Sequence, residues 1–125
     1  MDRPGLRLGL VGWPVGHSLS PLIHREFLRC LDLPGAYRAI PVHPERTGVA
    51  LRRLWIHGMD GLNVTAPCKL GALEACVSLD GTARRARAVN TLRRAGDGWE
   101  GHNTDIAGFG AMAAEAAAPG PFLVV

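Results

Sequence analysis

The sequence predicts an α/β domain with a mostly parallel open sheet and flanking helices, and three observations support this fold class. Short apolar runs bounded by Gly or Pro alternate with segments whose apolar residues recur at helical spacing. The length of 125 residues suits one domain with a buried core. The composition, 47% hydrophobic and 20% charged with a net charge of +3, is that of a globular protein and excludes global disorder.

The first strand, loop and helix are predicted from the N-terminal residues. Leu6 to Val11 is an apolar run that predicts a strand, and the Gly- and Pro-rich segment 12–21 predicts a loop. Ser20 followed by Pro21 predicts a helix start with the serine hydroxyl as N-cap. The helix continues to about residue 31 because apolar residues recur at helical spacing: Leu22, Ile23, Phe27 and Leu31.

The rest of the chain continues this alternation. Further strands are predicted at Tyr37 to Val42, Gly61 to Val64, Ala88 to Arg93 and Trp99 to His102, the last two joined by a hairpin turn. Helices are predicted from Pro44 to Gly58, from Pro67 through about Cys76, near Thr82 to Arg87, and from Asp105 to about Ala117. A proline-rich linker and a final apolar run lead us to expect one domain over 1–118 and the first strand of a second domain at 119–125.

Several function classes are disfavoured by composition. The most uniform apolar stretch, Ala111 to Ala118, is short and contains Glu115, whereas a membrane span needs roughly 20 apolar residues. Three cysteines without a Cys-x-x-Cys pair argue against a disulfide framework and a zinc site, and favour a reducing, cytoplasmic location. The five histidines lack metal-ligand spacing, so each is interpreted as a neutral core or surface residue and no metal site is predicted.

Nucleic-acid and dinucleotide binding are disfavoured by local patterns. The densest basic group, Arg84, Arg85 and Arg87, has no neighbouring aromatic residue and is interpreted as a solvated helix face. Two glycine patterns, at 96–101 and 108–113, fit a dinucleotide fingerprint without its strand–turn–helix context. The first is better explained as a hairpin turn and the second lies within a predicted helix, so no cofactor-binding residue is predicted in this chain.

Residue usage points to three short segments. Arg accounts for 13 of the 14 basic residues, and the remaining one is Lys69. The chain has three Asn and no Gln, and each Asn is followed by Thr one or two positions later. The single Lys and the three Asn all lie within 63–69, 88–91 and 101–105. These segments are therefore candidates for the functional site.

Lys69 is the candidate general base. The strand ending at Val64 places Thr65 at the carboxyl edge of the sheet, where open α/β folds bind ligands. Lys69 follows in the first turn of the next helix, where the helix dipole disfavours a cation and favours the neutral amine that a base needs. An exposed lysine without a role is the alternative.

Asp105, Ser18 and Ser20 are weaker candidates on position alone. Asp105 suits the first turn of its own helix electrostatically, and its functional interpretation depends on its facing Lys69. Ser18 and Ser20 place two hydroxyls on the loop after the first strand, next to a helix start, which suits a carboxylate or a phosphate.

Four blocks of sequence, in this order, resemble the N-terminal, substrate-binding part of the shikimate dehydrogenases. The blocks are Gly16-His17-Ser18-Leu19-Ser20-Pro21, Asn63-Val64-Thr65-Ala66-Pro67-Cys68-Lys69, Ala88-Val89-Asn90-Thr91 and Gly101-His102-Asn103-Thr104-Asp105. The resemblance runs from about Leu8 to the end of the chain. It implies NADP-dependent interconversion of shikimate and 3-dehydroshikimate, with NADP held by a domain expected after Val125.

The resemblance also implies the roles of individual residues. Lys69 exchanges the proton of the C3 hydroxyl, and Asp105 pairs with Lys69 and orients it. Ser18 and Ser20 hold the substrate carboxylate. The remaining substrate-site residues implied by the resemblance are Thr65 near the carboxylate, Asn90 and Asp105 on the ring hydroxyls, and Asn63 shaping the pocket.

Two departures and three alternatives accompany the resemblance. Trp13 and Cys68 differ from the residues common in the family and are expected to tune the pocket wall. Because the expected cofactor domain does not follow, we expect this chain to bind shikimate weakly or not at all and to be inactive alone. Alternatives are a dehydrogenase that also accepts quinate, a stand-alone module that binds a hydroxy acid, and an Arg-mediated nucleic-acid binder, ranked last. The oligomeric state is open, with a homodimer as one option.

Overall fold

A computed structural model describes residues 5–105 of the chain, and these form a sheet flanked by helices. The strands are β1 (Leu6–Gly12), β2 (Gly35–Pro41), β3 (Gly61–Val64), β4 (Cys76–Leu79), β5 (Thr91–Arg94) and β6 (Trp99–His102). The helices are α1 (Ser20–Cys30), α2 (Thr47–Ile56), α3 (Lys69–Ala75) and α4 (Gly81–Ala86). The predicted α/β class is confirmed.

The strands form a single six-stranded sheet in the order β2-β1-β3-β5-β6-β4. β1 pairs in parallel with both β2 and β3, and β4 pairs in parallel with β6. β5 is antiparallel to both of its neighbours, β3 and β6. Five strands therefore point the same way, and the carboxyl ends of β1, β3 and β6 meet at one edge of the sheet.

Helices cover both faces of the sheet. Leu10 and Val11 are adjacent in β1 and so point to opposite faces. Val11 joins the main core, which includes buried residues of α2, α3 and strands β3, β5 and β6: Leu51, Leu62, Ala72, Leu92 and Trp99. Leu10 joins a smaller cluster with Val15 and Tyr37, against which α1 packs. Two layers of helices thus hold the sheet edge in place.

Several predicted elements are confirmed. β3 and β6 have the predicted bounds, and the turn between β5 and β6 closes with the Ala95 amide donating to the Gly98 carbonyl at 2.8 Å. The predicted second helix begins as a separate 3₁₀ turn, Pro44–Arg46, before α2. α3 begins at Lys69 and not at Pro67, because Thr65 to Cys68 form a turn closed by the Cys68 amide and the Thr65 carbonyl at 3.0 Å.

The α1 prediction is wrong in two details. Ser20 is the first helical residue and Leu19 is the N-cap, so the Ser20 hydroxyl is not the cap. The Ser18 hydroxyl, two residues before the helix, accepts a hydrogen bond from the Ser20 amide at 3.1 Å. The apolar side chains that predicted the helix are also not its buried face; Leu22, Ile23, Phe27 and Leu31 are exposed, whereas Leu28 is buried.

Other predictions concern spans and metals. None of the helices in the described range is long and apolar enough to cross a membrane. Within residues 5–105 there is no group of three His, Cys, Asp or Glu side chains arranged to hold a metal ion. The continuation of the helix to Ala117, the glycine pattern at 108–113 and the domain boundary at 119 lie outside the described residues.

Candidate active site

Lys69 and Asp105 form an ion pair at the carboxyl edge of the sheet. The Lys69 Nζ lies 3.1 Å from the Asp105 Oδ2, although the two residues are 36 positions apart. Lys69 is the first residue of α3, just beyond the end of β3, and Asp105 follows the end of β6. The two side chains are 37% and 63% exposed, so solvent and a small ligand can reach both. The contact with Lys69, on which the functional interpretation of Asp105 depends, is therefore present.

Asn103 holds the Asp105 backbone in position. The Asp105 amide donates to the Asn103 Oδ1 at 2.9 Å. The Asn103 side chain is buried and donates in turn to the Ala88 carbonyl at 3.2 Å. The Asn103 amide donates to the Thr82 Oγ1 at 2.9 Å. A buried amide thus ties Asp105 to the segment before β5 and to the first turn of α4.

Asn90 connects three parts of the same edge. Its side-chain nitrogen donates to the Thr104 Oγ1, and its Oδ1 accepts from the Thr104 amide, both at 2.9 Å. The Oδ1 also accepts from the Thr91 hydroxyl at 3.0 Å. The Asn90 carbonyl accepts from the Val64 amide at 2.8 Å. Asn90 therefore lies beside Val64, at the end of the strand before Lys69, and beside Thr104, which precedes Asp105.

Asn63 links this edge to α1. Its Oδ1 accepts from the buried Tyr37 hydroxyl at 2.9 Å, and its Nδ2 donates to the Thr91 Oγ1 at 3.4 Å. The Tyr37 ring stacks on His24 with ring centroids 4.2 Å apart, and the His24 Nδ1 lies 2.9 Å from the Ser20 carbonyl. Burial raises the pKa of Tyr37 to about 12, so its hydroxyl stays a donor to Asn63 at neutral pH.

The loop after β1 brings Ser18 and Ser20 to the same edge. Gly12, at the end of β1, lies so close to Thr65 that a Cβ added to the glycine would be 2.3 Å from the Thr65 Cγ2. Only glycine allows this approach of the two strand ends. The Thr65 amide also donates to the Val11 carbonyl at 2.9 Å. The Ser18 loop and the Thr65 segment are therefore held together at their bases.

The seven predicted site residues all lie on elements that end or begin at this edge. Ser18, Ser20, Asn63, Thr65, Lys69 and Asn90 are partly buried and Asp105 is exposed. Sequence reasoning missed the residues that connect them, which are His24, Tyr37, Thr91 and Thr104. The signal for the two threonines was the Asn–Thr recurrence, because Asn90 bonds to both of them.

The two departures from the family pattern behave differently. Cys68 is fully buried in the main core and its thiol donates to the Val42 carbonyl at 3.2 Å, so the expectation that it tunes the pocket wall is wrong. Trp13 is 49% exposed on the loop after β1, and its ring meets the His43 ring edge-on with centroids 5.7 Å apart.

The glycine pattern at 96–101 does not have the structure of a dinucleotide-binding turn. It begins in the turn between antiparallel strands β5 and β6 and ends within β6. A Cβ at Gly98 would lie 2.5 Å from a Val77 side-chain carbon, so this glycine serves close packing of β4 against the hairpin. This glycine pattern therefore lacks the strand–turn–helix context of a dinucleotide fingerprint.

Comparisons with known proteins agree with this geometry. A family model for the shikimate dehydrogenase substrate binding domain matches residues 10–92. The chain is 45% identical over 102 residues to the shikimate dehydrogenase (NADP(+)) of Synechocystis sp., and 50% identical over 97 residues to that of Anaeromyxobacter dehalogenans. These matches cover 82% and 78% of this chain and 35% of each relative, so the chain spans about a third of the length of these relatives.

Solved structures give the same result. The shikimate 5-dehydrogenase of Thermus thermophilus in complex with shikimate matches with a TM-score of 0.83 and 35% identity, over 93% of this chain and 45% of that one. Its complex with NADP(H) and shikimate matches with a TM-score of 0.82 and 34% identity, over 91% and 43% of the two chains. The family model covers more than half of the chain and the fold agrees, so the chain belongs to the shikimate dehydrogenase substrate-binding domain family.

Proposed function

We propose that this chain provides the substrate site of an NADP-dependent shikimate dehydrogenase, which interconverts shikimate and 3-dehydroshikimate. The observation that carries the proposal is the 3.1 Å contact between Lys69 and Asp105 at the carboxyl edge of the sheet. It is supported by family membership and by the relatives, which are named shikimate dehydrogenase (NADP(+)).

Oxidation of a secondary alcohol removes a hydride from carbon and a proton from oxygen. NADP supplies the hydride acceptor, and we place it outside the described residues. The Lys69 amine, in its neutral form, accepts the proton of the C3 hydroxyl and returns it in the reverse reaction. The Asp105 carboxylate accepts a hydrogen bond from the Lys69 Nζ and fixes that nitrogen beside the reacting oxygen.

The same edge recognises the rest of the substrate. Ser18 and Ser20 offer hydroxyls for the shikimate carboxylate, with Thr65 close to them because Gly12 lets the two loops touch. Asn90 and Asp105 are available to the ring hydroxyls from the opposite side. Asn63, which accepts from the Tyr37 hydroxyl, lies on β3, between the strands that carry these two groups.

The proposal also covers the location of the protein and its oligomeric state. The cysteines in the described range are all free, Cys30, Cys68 and Cys76, which supports the predicted reducing, cytoplasmic location. Shikimate is the proposed small-molecule partner. A homodimer stays a prediction that solution scattering or sedimentation can test.

Substitution of Lys69 tests the proposal. In the protein that carries this domain, Lys69→Ala should lower kcat for NADP-linked shikimate oxidation at least about 100-fold and leave KM nearly unchanged, since the proton acceptor is lost while the binding groups remain. Arg53→Ala, which removes a cation from the last turn of α2, is the matched control and should leave both constants unchanged.

The outcomes separate the alternatives. A loss below about threefold in Lys69→Ala removes the acid–base role. Equal turnover of quinate and shikimate by the unaltered protein supports the dehydrogenase of wider specificity. Shikimate binding with no NADP reduction under any condition supports the binding module.

A further inference from the structure

His102 lies between two carboxylates next to the candidate site. Its Nδ1 is 3.0 Å from the Asp80 Oδ2, and its Nε2 is 2.7 Å from the Glu100 Oε1. The three side chains are each about 30% exposed, at 28%, 31% and 30%. Both carboxylates can accept a hydrogen bond at once only from the doubly protonated ring, because a neutral imidazole has a single N–H. The contact pair therefore depends on the protonation of His102.

The Asp80 carboxylate has a second set of contacts. Its Oδ1 accepts from the Thr82 hydroxyl at 2.5 Å and from the Ala83 amide at 3.0 Å, which caps α4. The two oxygens of Asp80 thus have separate contacts, one facing the imidazole and the other fixing the first turn of α4. Movement of Asp80 relative to His102 changes the position of the Thr82 hydroxyl.

The Thr82 hydroxyl connects Asp80 to the residues that hold the Lys69–Asp105 ion pair. Its oxygen accepts from the Asn103 amide at 2.9 Å, and the Asn103 Oδ1 accepts from the Asp105 amide at 2.9 Å. Asp105 then meets Lys69 at 3.1 Å. A series of hydrogen-bonded residues therefore runs from the His102 ring through the first turn of α4 to the Lys69 ammonium, in addition to the backbone that joins His102 to Asp105.

We propose that His102 is a positioning residue that, through Asp80, Thr82 and Asn103, sets the position of the Asp105 carboxylate against Lys69. When the imidazole loses its second proton, one of its two nitrogens presents a lone pair to a carboxylate and that contact is lost. Asp80 is then free to shift, and Asp105 loses part of its support.

The charged surroundings of His102 in residues 5–105 fit this role. Asp80 faces it from the turn between β4 and α4, and Glu100 faces it from its own strand. Arg93 of β5 pairs in register with Glu100, with its Nε 3.8 Å from the Glu100 Oε1. Arg93 therefore places a cation beside the Glu100 carboxylate that faces His102.

The test uses nuclear magnetic resonance of the labelled chain over a pH series in which the His102 ring and the Asp105 amide are followed together. In the unaltered chain, the Asp105 amide shift should titrate with the same midpoint as the His102 ring. Thr82→Val removes the hydroxyl, so the Asp105 titration should flatten and the Asn103 amide should exchange about tenfold faster. Thr82→Ser keeps the hydroxyl and should restore both.

Two histidine variants complete the series. His102→Gln offers a single donor nitrogen where the imidazolium has one on each side of the ring, and should likewise flatten the Asp105 titration. His57→Gln, at the exposed end of α2, is the matched control and should leave it unchanged. An Asp105 shift that ignores the His102 titration, or that follows it equally in Thr82→Val, overturns the proposal. The comparison of Thr82→Val with Thr82→Ser tests the proposal even if His102→Gln does not fold.

A kinetic measurement adds the catalytic consequence, which rests on the proposed function. Thr82→Val should lower kcat for shikimate oxidation about tenfold with KM little changed, and Thr82→Ser should not, because the base is misplaced while binding persists. If the hydrogen-bond series responds as expected but the unaltered protein does not oxidise shikimate, the proposed function fails and the positioning role stands.

Discussion

At the residue scale, the candidate site depends on side chains that contribute little to folding. The Lys69–Asp105 pair is largely solvated, and exposed ion pairs typically contribute less than about 1 kcal/mol. Buried Asn103 holds the Asp105 backbone in place, and buried Tyr37 donates to Asn63 at the same edge. The ion pair is therefore available for chemistry without being needed for the fold.

Asp80 shows how a charged residue of this network affects stability. Hydrogen bonds from the Thr82 hydroxyl and the Ala83 amide, together with the charge of His102, lower the pKa of Asp80 from 3.8 to about 2. Its pKa is lower in the folded chain, so the stabilisation is present above about pH 4 and is lost as the pH falls through about 2. Asp80→Asn keeps a side-chain oxygen for the helix cap and removes the charge.

We therefore expect Asp80→Asn to lower the urea midpoint of unfolding at pH 6, with the difference from the unaltered chain narrowing as the pH falls from about 4 to about 2. Asp97→Asn, on the exposed turn of the hairpin, is the control and should not change the midpoint at either pH. A difference for Asp80→Asn that is the same at pH 6 and at about pH 2 contradicts the assignment.

The sequence pointed to the seven candidate site residues but not to the residues that contact them. Lys69 and the three Asn stood out because their residue types are rare in this chain. His102 did not stand out, and its interpretation as a core or surface residue did not anticipate the two carboxylates that flank its ring. Asp80 lies 22 positions before His102, and only the parallel pairing of β4 with β6 brings the two together.

At the element scale, β6 is the strand on which the site depends, because its end carries Asn103 to Asp105. Gly101 within it is packed against neighbouring side chains. A Cβ at Gly101 would lie 2.7 Å from a Val89 methyl, 2.8 Å from the Cys76 Sγ and 2.9 Å from a Leu79 methyl. Val89 is fully buried and has little room to move.

Gly101→Ala should therefore destabilise the chain by about 1–3 kcal/mol, the usual range for overpacking a core. Gly96→Ala places its methyl group in open space on the hairpin turn and should change the stability far less. Chemical denaturation of both variants gives the comparison. Equal stabilities of the two variants would mean that β6 tolerates displacement, and that it does not fix Asp105 as described.

The elements also show where sequence patterns fail. β4 was missed because the strand has only four residues and these are partly or largely exposed. Such a segment is hard to distinguish from the end of the preceding helix. β3 and β6, which are equally short, were predicted because glycine and the hairpin turn mark their ends. Periodicity placed α1 correctly but gave the wrong buried face, since apolar spacing reports a stripe and not what covers it.

At the scale of the whole molecule, residues 5–105 form an open sheet whose carboxyl edge gathers four separated segments of the chain. β1, β3, β5 and β6 each deliver one segment. The antiparallel pairing of β5 with β6 followed from the predicted hairpin, but the strand order β2-β1-β3-β5-β6-β4 was not predicted. The α/β class followed from alternation, but strand order depends on long-range packing that no local pattern encodes. The four blocks of family sequence are thus one surface in space.

The most direct test of this surface is an amide resonance titration of the chain with shikimate. We expect shikimate to cause weak, saturable shifts of the amide resonances of six residues: Ser18, Ser20, Thr65, Lys69, Asn90 and Asp105. The resonances of the 95–98 turn and of α2 should be unaffected. Lys69→Ala should retain the shifts at the two serines. A well-dispersed spectrum that shikimate leaves unchanged, or shifts confined to another face, would contradict the assignment of this edge as the substrate site.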